Sequence, residues 1–135
     1  MTHFELQPIA HVESSLKDLD GAPKQPDEGA PSAWLVFSPS VGEGLRDLRA
    51  GQQVLVFTWL HLADRSVLSV HPRSDPSRAM AGVFSTRSPA RPNPIGLHRA
   101  EIVEVDGLRV LVSQLEAIDG TPVVDVKPVR SPDDG

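Results

Sequence analysis

The sequence predicts an all-β domain, a barrel or a sandwich with one short helix, and three observations carry that expectation. Short apolar runs rich in β-branched and aromatic residues recur between turn signals. Asp-Gly pairs stand between such runs at 106–107 and 119–120. Helical spacing of apolar residues is confined to residues 43–50.

Taken in order, residues 6–16 read as a first strand, with Pro8 placing it at a sheet edge or a strand start. Residues 18–31 are rich in Asp, Gly and Pro and read as loop. Residues 33–37 (AWLVF) have the content of a buried strand. Leu45 and Leu48, three apart among charges, predict one or two helical turns over 43–50, with Gly51 as the stop. Residues 53–62 (QVLVFTWLHL) form the most apolar run and predict a central strand ending at His61 and Leu62. Residues 65–70 predict another strand, and 72–77 a loop.

Residues 97–105 and 108–115 flank Asp106-Gly107, which predicts a hairpin with a type I′ turn. The final strand, 121–128, is expected to place Val124 and Val126 on one face and Val123, Asp125 and Lys127 on the other. Asp125 and Lys127 are then spaced to pair at the surface. Residues 131–135 read as a tail.

Between the two halves stands FSTRSPARPNPIG, residues 84–96. Pro89, Pro92 and Pro94 fix their own φ and push the residues before them toward extended conformations, which excludes a helix and predicts a stiff ribbon. Arg87 and Arg91 offer planar forks for carboxylate or phosphate, and Asn93 can donate and accept. A linker or polyproline ligand is the competing interpretation, since PARP is a PxxP. Strand-like sequence on both sides favours a binding loop inside a domain.

The chain has 135 residues, enough for one domain spanning 1–135, and no apolar run reaches membrane-span length. Its start, with Met1, Thr2 and His3, lacks the basic and apolar regions of a signal peptide, so a cytoplasmic location is expected. The absence of cysteine excludes disulfides, thiolate nucleophiles and Cys-based zinc sites. The five histidines show no short ligand spacing, so no metal is expected. His61, alone at a strand end, suits a structural hydrogen bond as well as a ligand.

A net charge of -5 argues against coating nucleic acid, yet Arg73, Arg78, Arg87, Arg91 and Arg99 stand between His71 and Ala100 with Asp75 as the one acid. That pattern predicts a local basic face for phosphate or carboxylate, or a solvated charged edge. Common hydrolase, zinc-protease and nucleotide motifs are absent. The chemistry left is that of a protein which positions a reactive cofactor.

Residues 84–97, followed by DGTPVVDVKP at 119–128, resemble the TsaA-like (TrmO) family. The resemblance implies S-adenosylmethionine-dependent methyltransferases, typified by the enzyme that methylates N6 of threonylcarbamoyladenosine in tRNA. It implies a β-barrel homodimer with cofactor sites near the subunit interface. Matched residue by residue, cofactor contacts fall at Pro23, Lys24 and Gln25, at His61 and Leu62, at Arg87, at Leu97, and at Asp119, Gly120, Thr121 and Pro122. On this basis Arg87 and Gln25 hold the cofactor, Arg91 and Asn93 orient the acceptor, and Asp125 is a candidate proton acceptor.

The chain departs from the family pattern at Lys24, where Arg is usual, at Leu60, where an aromatic is usual, and at Val129, where Tyr is usual. The bacterial tRNA enzymes also carry an additional C-terminal domain beyond the stretch matched here. The resemblance therefore points to the cofactor more directly than to the acceptor. Other expectations are a methyltransferase for a different nucleoside or a small molecule, and a non-enzymatic RNA-binding barrel. The barrel alternative is disfavoured by having only four Phe and two Trp to stack bases.

Overall fold

Strict alternation of buried and half-buried residues in Ala33–Phe37, with Ala33, Leu35 and Phe37 inside, shows how this chain builds sheet: small and branched apolar groups at every second position. The computed structural model describes residues 2–17 and 29–134. Its strands are β1 (Ala10–Glu13), β2 (Ala33–Phe37), β3 (Gln53–Trp59), β4 (Ser69–Val70), β5 (Ala81–Gly82), β6 (Ile95–Asp106), β7 (Arg109–Val112) and β8 (Pro122–Pro128).

Six of these pair antiparallel in the order β1-β2-β7-β6-β3-β8, and β1 also pairs with β8, so the sheet closes into a barrel with no free edge. The two short strands β4 and β5 form a separate ladder within the long connection from β3 to β6. Val12, Leu35, Val54, Val56, Ile102, Val110, Val112, Leu115 and Val123 fill the interior, each 1% exposed or less. Each such side chain contributes roughly 1.5–3 kcal/mol by leaving water. Among the described residues no helix is long and apolar enough to cross a membrane.

Four local expectations are corrected. The helical segment is a 3-10 helix over Pro39–Leu45, not 43–50: Pro39 supplies a preset φ at its start, and Asp47, with φ 74, breaks the winding soon after. The β6–β7 turn is one residue later than expected. Asp106 pairs with Arg109, the turn residues are Gly107 and Leu108, and positive φ occurs at Gly107 alone, as a type II′ turn requires.

In β8 the alternation is interrupted. β3 pairs Phe57 with Asp125 and Thr58 with Val123, so Val124 is an extra residue at a bulge. Val123 and Val126 therefore both face the core, while Asp125 and Lys127 share the outer wall, their charges 3.4 Å apart. The strand expected over 65–70 shrinks to β4, because Asp64 Oδ1 accepts from the Ser66 N–H and holds that stretch in a turn.

Since strands alternate in direction around the barrel, β1, β3 and β7 end, and β2, β6 and β8 begin, on the same rim. The β3–β6 connection and residues 113–121 leave from that rim too.

Candidate functional site

The ribbon over 84–96 is not extended. Val83–Ser85 makes a 3-10 turn, Thr86 Oγ1 donates to Val83 O at 3.0 Å, and the Ser88 N–H donates to Thr86 Oγ1 at 3.2 Å. Arg91 closes the curl: its Nε donates to Ser88 O at 2.8 Å and its Nη2 donates to the carbonyls of Val83 and Thr86. The guanidinium expected to orient an acceptor is thus spent on three backbone carbonyls inside the loop. Its contribution is the loop's shape.

Asn93 is exposed two residues further on, fixed by Arg65. Arg65 Nε donates to Pro92 O at 2.7 Å, Arg65 Nη2 donates to Asn93 Oδ1 at 3.1 Å, and the guanidinium stacks 5.0 Å from the Trp59 ring centre. His61 and Leu62 are exposed in the same connection, as is Arg87. Leu97 lies on the outer wall opposite Phe57, with Asp125 on Phe57's other side. Asp125 Oδ1 accepts from the Val126 N–H at 2.9 Å.

A second group forms around Asp119. Its Oδ1 accepts from the Ser14 N–H at 2.9 Å, and its Oδ2 stands 3.1 Å from Lys17 Nζ. The Ser14 N–H first, and then Lys17, hold the Asp119 carboxyl below its ordinary value of 3.8. Gly120, at φ +86, makes the turn, and its N–H donates to Val12 O. Thr121 is turned inward: its hydroxyl and N–H donate to Ile118 O, and its carbonyl accepts from Val12. It builds the turn, and its side chain does not reach the surface. Pro122 pairs with His11.

Beside this turn lies a shallow, open cleft of about 570 Å³, whose lining includes Glu13, Ser14, Lys17, Ser32, Trp34 and Asp119. Arg109 stacks 4.9 Å from the Trp34 ring centre and pairs with Glu13 at 2.9 Å, stiffening the far wall. Pro23, Lys24 and Gln25 lie outside the described residues.

Under the ribbon's end, two buried polar side chains line up with the half-buried Glu116. His98 Nδ1 bonds Glu116 Oε1, and His98 Nε2 bonds Thr58 Oγ1 at 2.7 Å. Gly96 packs against them so closely that a Cβ there would stand 2.4 Å from Thr58 Oγ1. In the sequence His98 stands out only as a histidine without metal spacing, Trp34 and Arg65 only as residues of expected strands, and Lys17 not at all. The Asp64-Arg65-Ser66 turn signal was the one available pointer to Arg65.

Of the five arginines of the expected basic face, half-buried Arg91 turns into its own loop, Arg99 binds Gln53 and the carbonyls of Pro132 and Asp134, and Arg78 pairs with Asp75 at 3.7 Å.

Fold and rim together define a small antiparallel barrel domain with His61, Arg87, Asn93 and Asp119 on the loops of one end. The chain belongs to the tRNA-methyltransferase O N-terminal domain family, whose model matches residues 11–134. Two archaeal relatives, from Archaeoglobus fulgidus and Methanothermobacter thermautotrophicus, are each 40% identical over 97% and 93% of this chain. Both are named probable S-adenosyl-L-methionine-binding proteins, and the chain spans 35% of the first and 89% of the second. A mouse tRNA (adenine(37)-N6)-methyltransferase is 35% identical over 90% of this chain, which spans 30% of its length. The solved structure of TrmO from Pseudomonas aeruginosa superposes with TM-score 0.75 at 28% identity, over 100% of this chain and 61% of that one.

Proposed function

We propose that this chain is an S-adenosylmethionine-dependent methyltransferase domain that methylates N6 of adenine in tRNA, with threonylcarbamoyladenosine as the acceptor nucleoside. One observation carries the proposal: the two family motifs, far apart in sequence, converge on one strand end. Ile95 pairs with Trp59 and Val123 with the adjacent Thr58, so the ends of both motif segments meet at the rim where His61 emerges. The names of the archaeal and mouse relatives support the cofactor and the reaction.

The donor set fits such a cofactor. An amino-acid end with a nearby sulfonium calls for both signs of charge, and the cleft supplies the Glu13 and Asp119 carboxylates with the Lys17 ammonium. When bound, S-adenosylmethionine supplies an electrophilic methyl group. Asp119 and Gly120 would hold it together with His61, Leu62, Arg87 and Leu97, and with Pro23, Lys24 and Gln25. Asn93 orients the acceptor, and Asp125 is the carboxylate proposed to take the one proton that the carbamoylated N6 loses as it gains the methyl group.

We assign the chain to a homodimer in the cytoplasm, where tRNA is modified. Leu62, Leu68, Met80, Phe84 and Ile95, all exposed in or beside the β3–β6 connection, support association there. The test is methyl transfer from isotope-labelled S-adenosylmethionine to purified tRNA, followed by nucleoside mass spectrometry. Label in methylated threonylcarbamoyladenosine is the expected result. Label in another nucleoside changes the acceptor, and label in none removes tRNA as the substrate.

A further inference from the structure

Arg65 takes three partners from two separate segments: Trp59 beneath it, and Pro92 O and Asn93 Oδ1 across the rim. These hydrogen bonds span 27 and 28 residues, so they fasten the start of the β3–β6 connection to its end. Backbone bonds run alongside, from the Leu60 N–H to Pro94 O at 2.8 Å and from the Arg91 N–H to Asp64 O at 3.1 Å. Asp64 holds the turn that carries Arg65, since its Oδ1 accepts from both the N–H and the hydroxyl of Ser66.

A guanidinium has donors and no acceptor. The Asn93 atom that meets Arg65 is therefore its carbonyl oxygen, and the amide nitrogen with its two hydrogens faces away from the arginine. Asn93 is exposed, and Pro92 and Pro94 flank it with fixed φ, so this amide edge is held ready for a ligand.

We propose that Arg65 is a positioning residue that sets the polarity of Asn93, so that residue 93 presents donors to a hydrogen-bond acceptor on the methyl-accepting molecule, a carbonyl oxygen or an unprotonated ring nitrogen. The identity of that molecule rests on the methyltransferase reading; the orientation of Asn93 rests on geometry alone. Lysine at position 65 keeps the charge but loses the planar fork that serves Pro92 and Asn93 while lying on Trp59.

Two measurements on the full chain test this. In 15N NMR, the Asn93 side-chain amide, assigned by its loss in Asn93→Ala, is ordered in the wild type and becomes mobile in Arg65→Lys. An amide already mobile in the wild type, or equally ordered without Arg65, overturns the proposal whatever the protein's activity.

The second is methyl transfer to tRNA purified from a bacterial strain lacking its own TrmO-family enzyme. Arg65→Lys lowers kcat/KM for tRNA by about tenfold or more, because small displacements of a positioning group are costly. Its Kd for S-adenosylmethionine stays within about twofold, and in an Asn93→Ala background the same substitution has under about twofold effect, as coupled residues require. No loss of kcat/KM, or equal loss in both backgrounds, contradicts the positioning role. A wild-type protein that transfers no methyl group sinks the methyltransferase reading instead, and the NMR result then decides the orientation of Asn93 by itself.

Discussion

His98 occupies the space that any side chain at Gly96 would need: a Cβ on Gly96 would lie 2.7 Å from His98 Nε2. Both residues face the barrel interior at the start of β6, where the proline-rich loop enters the sheet. The glycine is required by packing, since Gly96 has no positive φ. Gly96→Ala forces His98 or Thr58 out of place and destabilises the fold by about 1–3 kcal/mol, as overpacked cores do. Urea unfolding of the two proteins measures it, and an unchanged midpoint would show that the interior yields freely.

The chain from Glu116 through His98 to Thr58 makes a related prediction. Glu116 Oε1 accepts from His98 Nδ1–H, and His98 Nε2 shares a second hydrogen bond with Thr58 Oγ1. Thr58→Val removes that partner at nearly constant volume and strands a buried ring nitrogen, at about 1–3 kcal/mol. Thr58→Ser keeps the hydroxyl and loses less. Denaturation midpoints in the order wild type, Ser, Val are expected.

Arg91 gives a local prediction. Its donors hold the carbonyls of Val83, Thr86 and Ser88, and even one charge-assisted bond of this kind is worth about 1.5–3 kcal/mol. In Arg91→Ala, hydrogen exchange over residues 83–91 speeds up by about tenfold or more. Exchange over β3 stays as in the wild type. Uniform acceleration would instead make Arg91 part of the global fold.

These cases show what could be read from the sequence. Short apolar runs rich in β-branched and aromatic residues point to β2, β3, β6, β7 and β8, because strand content is written locally, residue by residue. The bulge at Val124 and the one-residue shift of the Gly107 turn were not legible, since each depends on which residue the partner strand places opposite. The prolines keep an α-helix out of residues 84–96, although residues 84 and 85 fall in a 3-10 turn, and the curl imposed by Arg91 depends on side-chain bonds to backbone carbonyls that the proline pattern does not encode. Arg65 escaped notice because its partners are 27 and 28 residues away.

Asp119 carries a pH prediction. Its carboxyl is held below 3.8 by the Ser14 N–H and then by Lys17, so the charged form is favoured in the folded state. The stabilisation is fully present above the unfolded carboxyl's pKa and is lost as pH falls through the lower folded value. The stability gap between wild type and Asp119→Asn is therefore constant from neutral pH down to about 4, the ordinary carboxyl range, and closes below it. NMR titration of the Asp119 carboxyl checks the direction, and a midpoint above 3.8 would contradict it.

Whether the proposed rim binds S-adenosylmethionine is read from calorimetric titration of the cofactor into the purified full chain, with S-adenosylhomocysteine alongside. Saturable binding of both is expected, and Asp119→Asn, which removes the carboxylate that faces the cleft beside Lys17, weakens it. A folded wild-type protein that takes up neither ligand would contradict the proposed cofactor site.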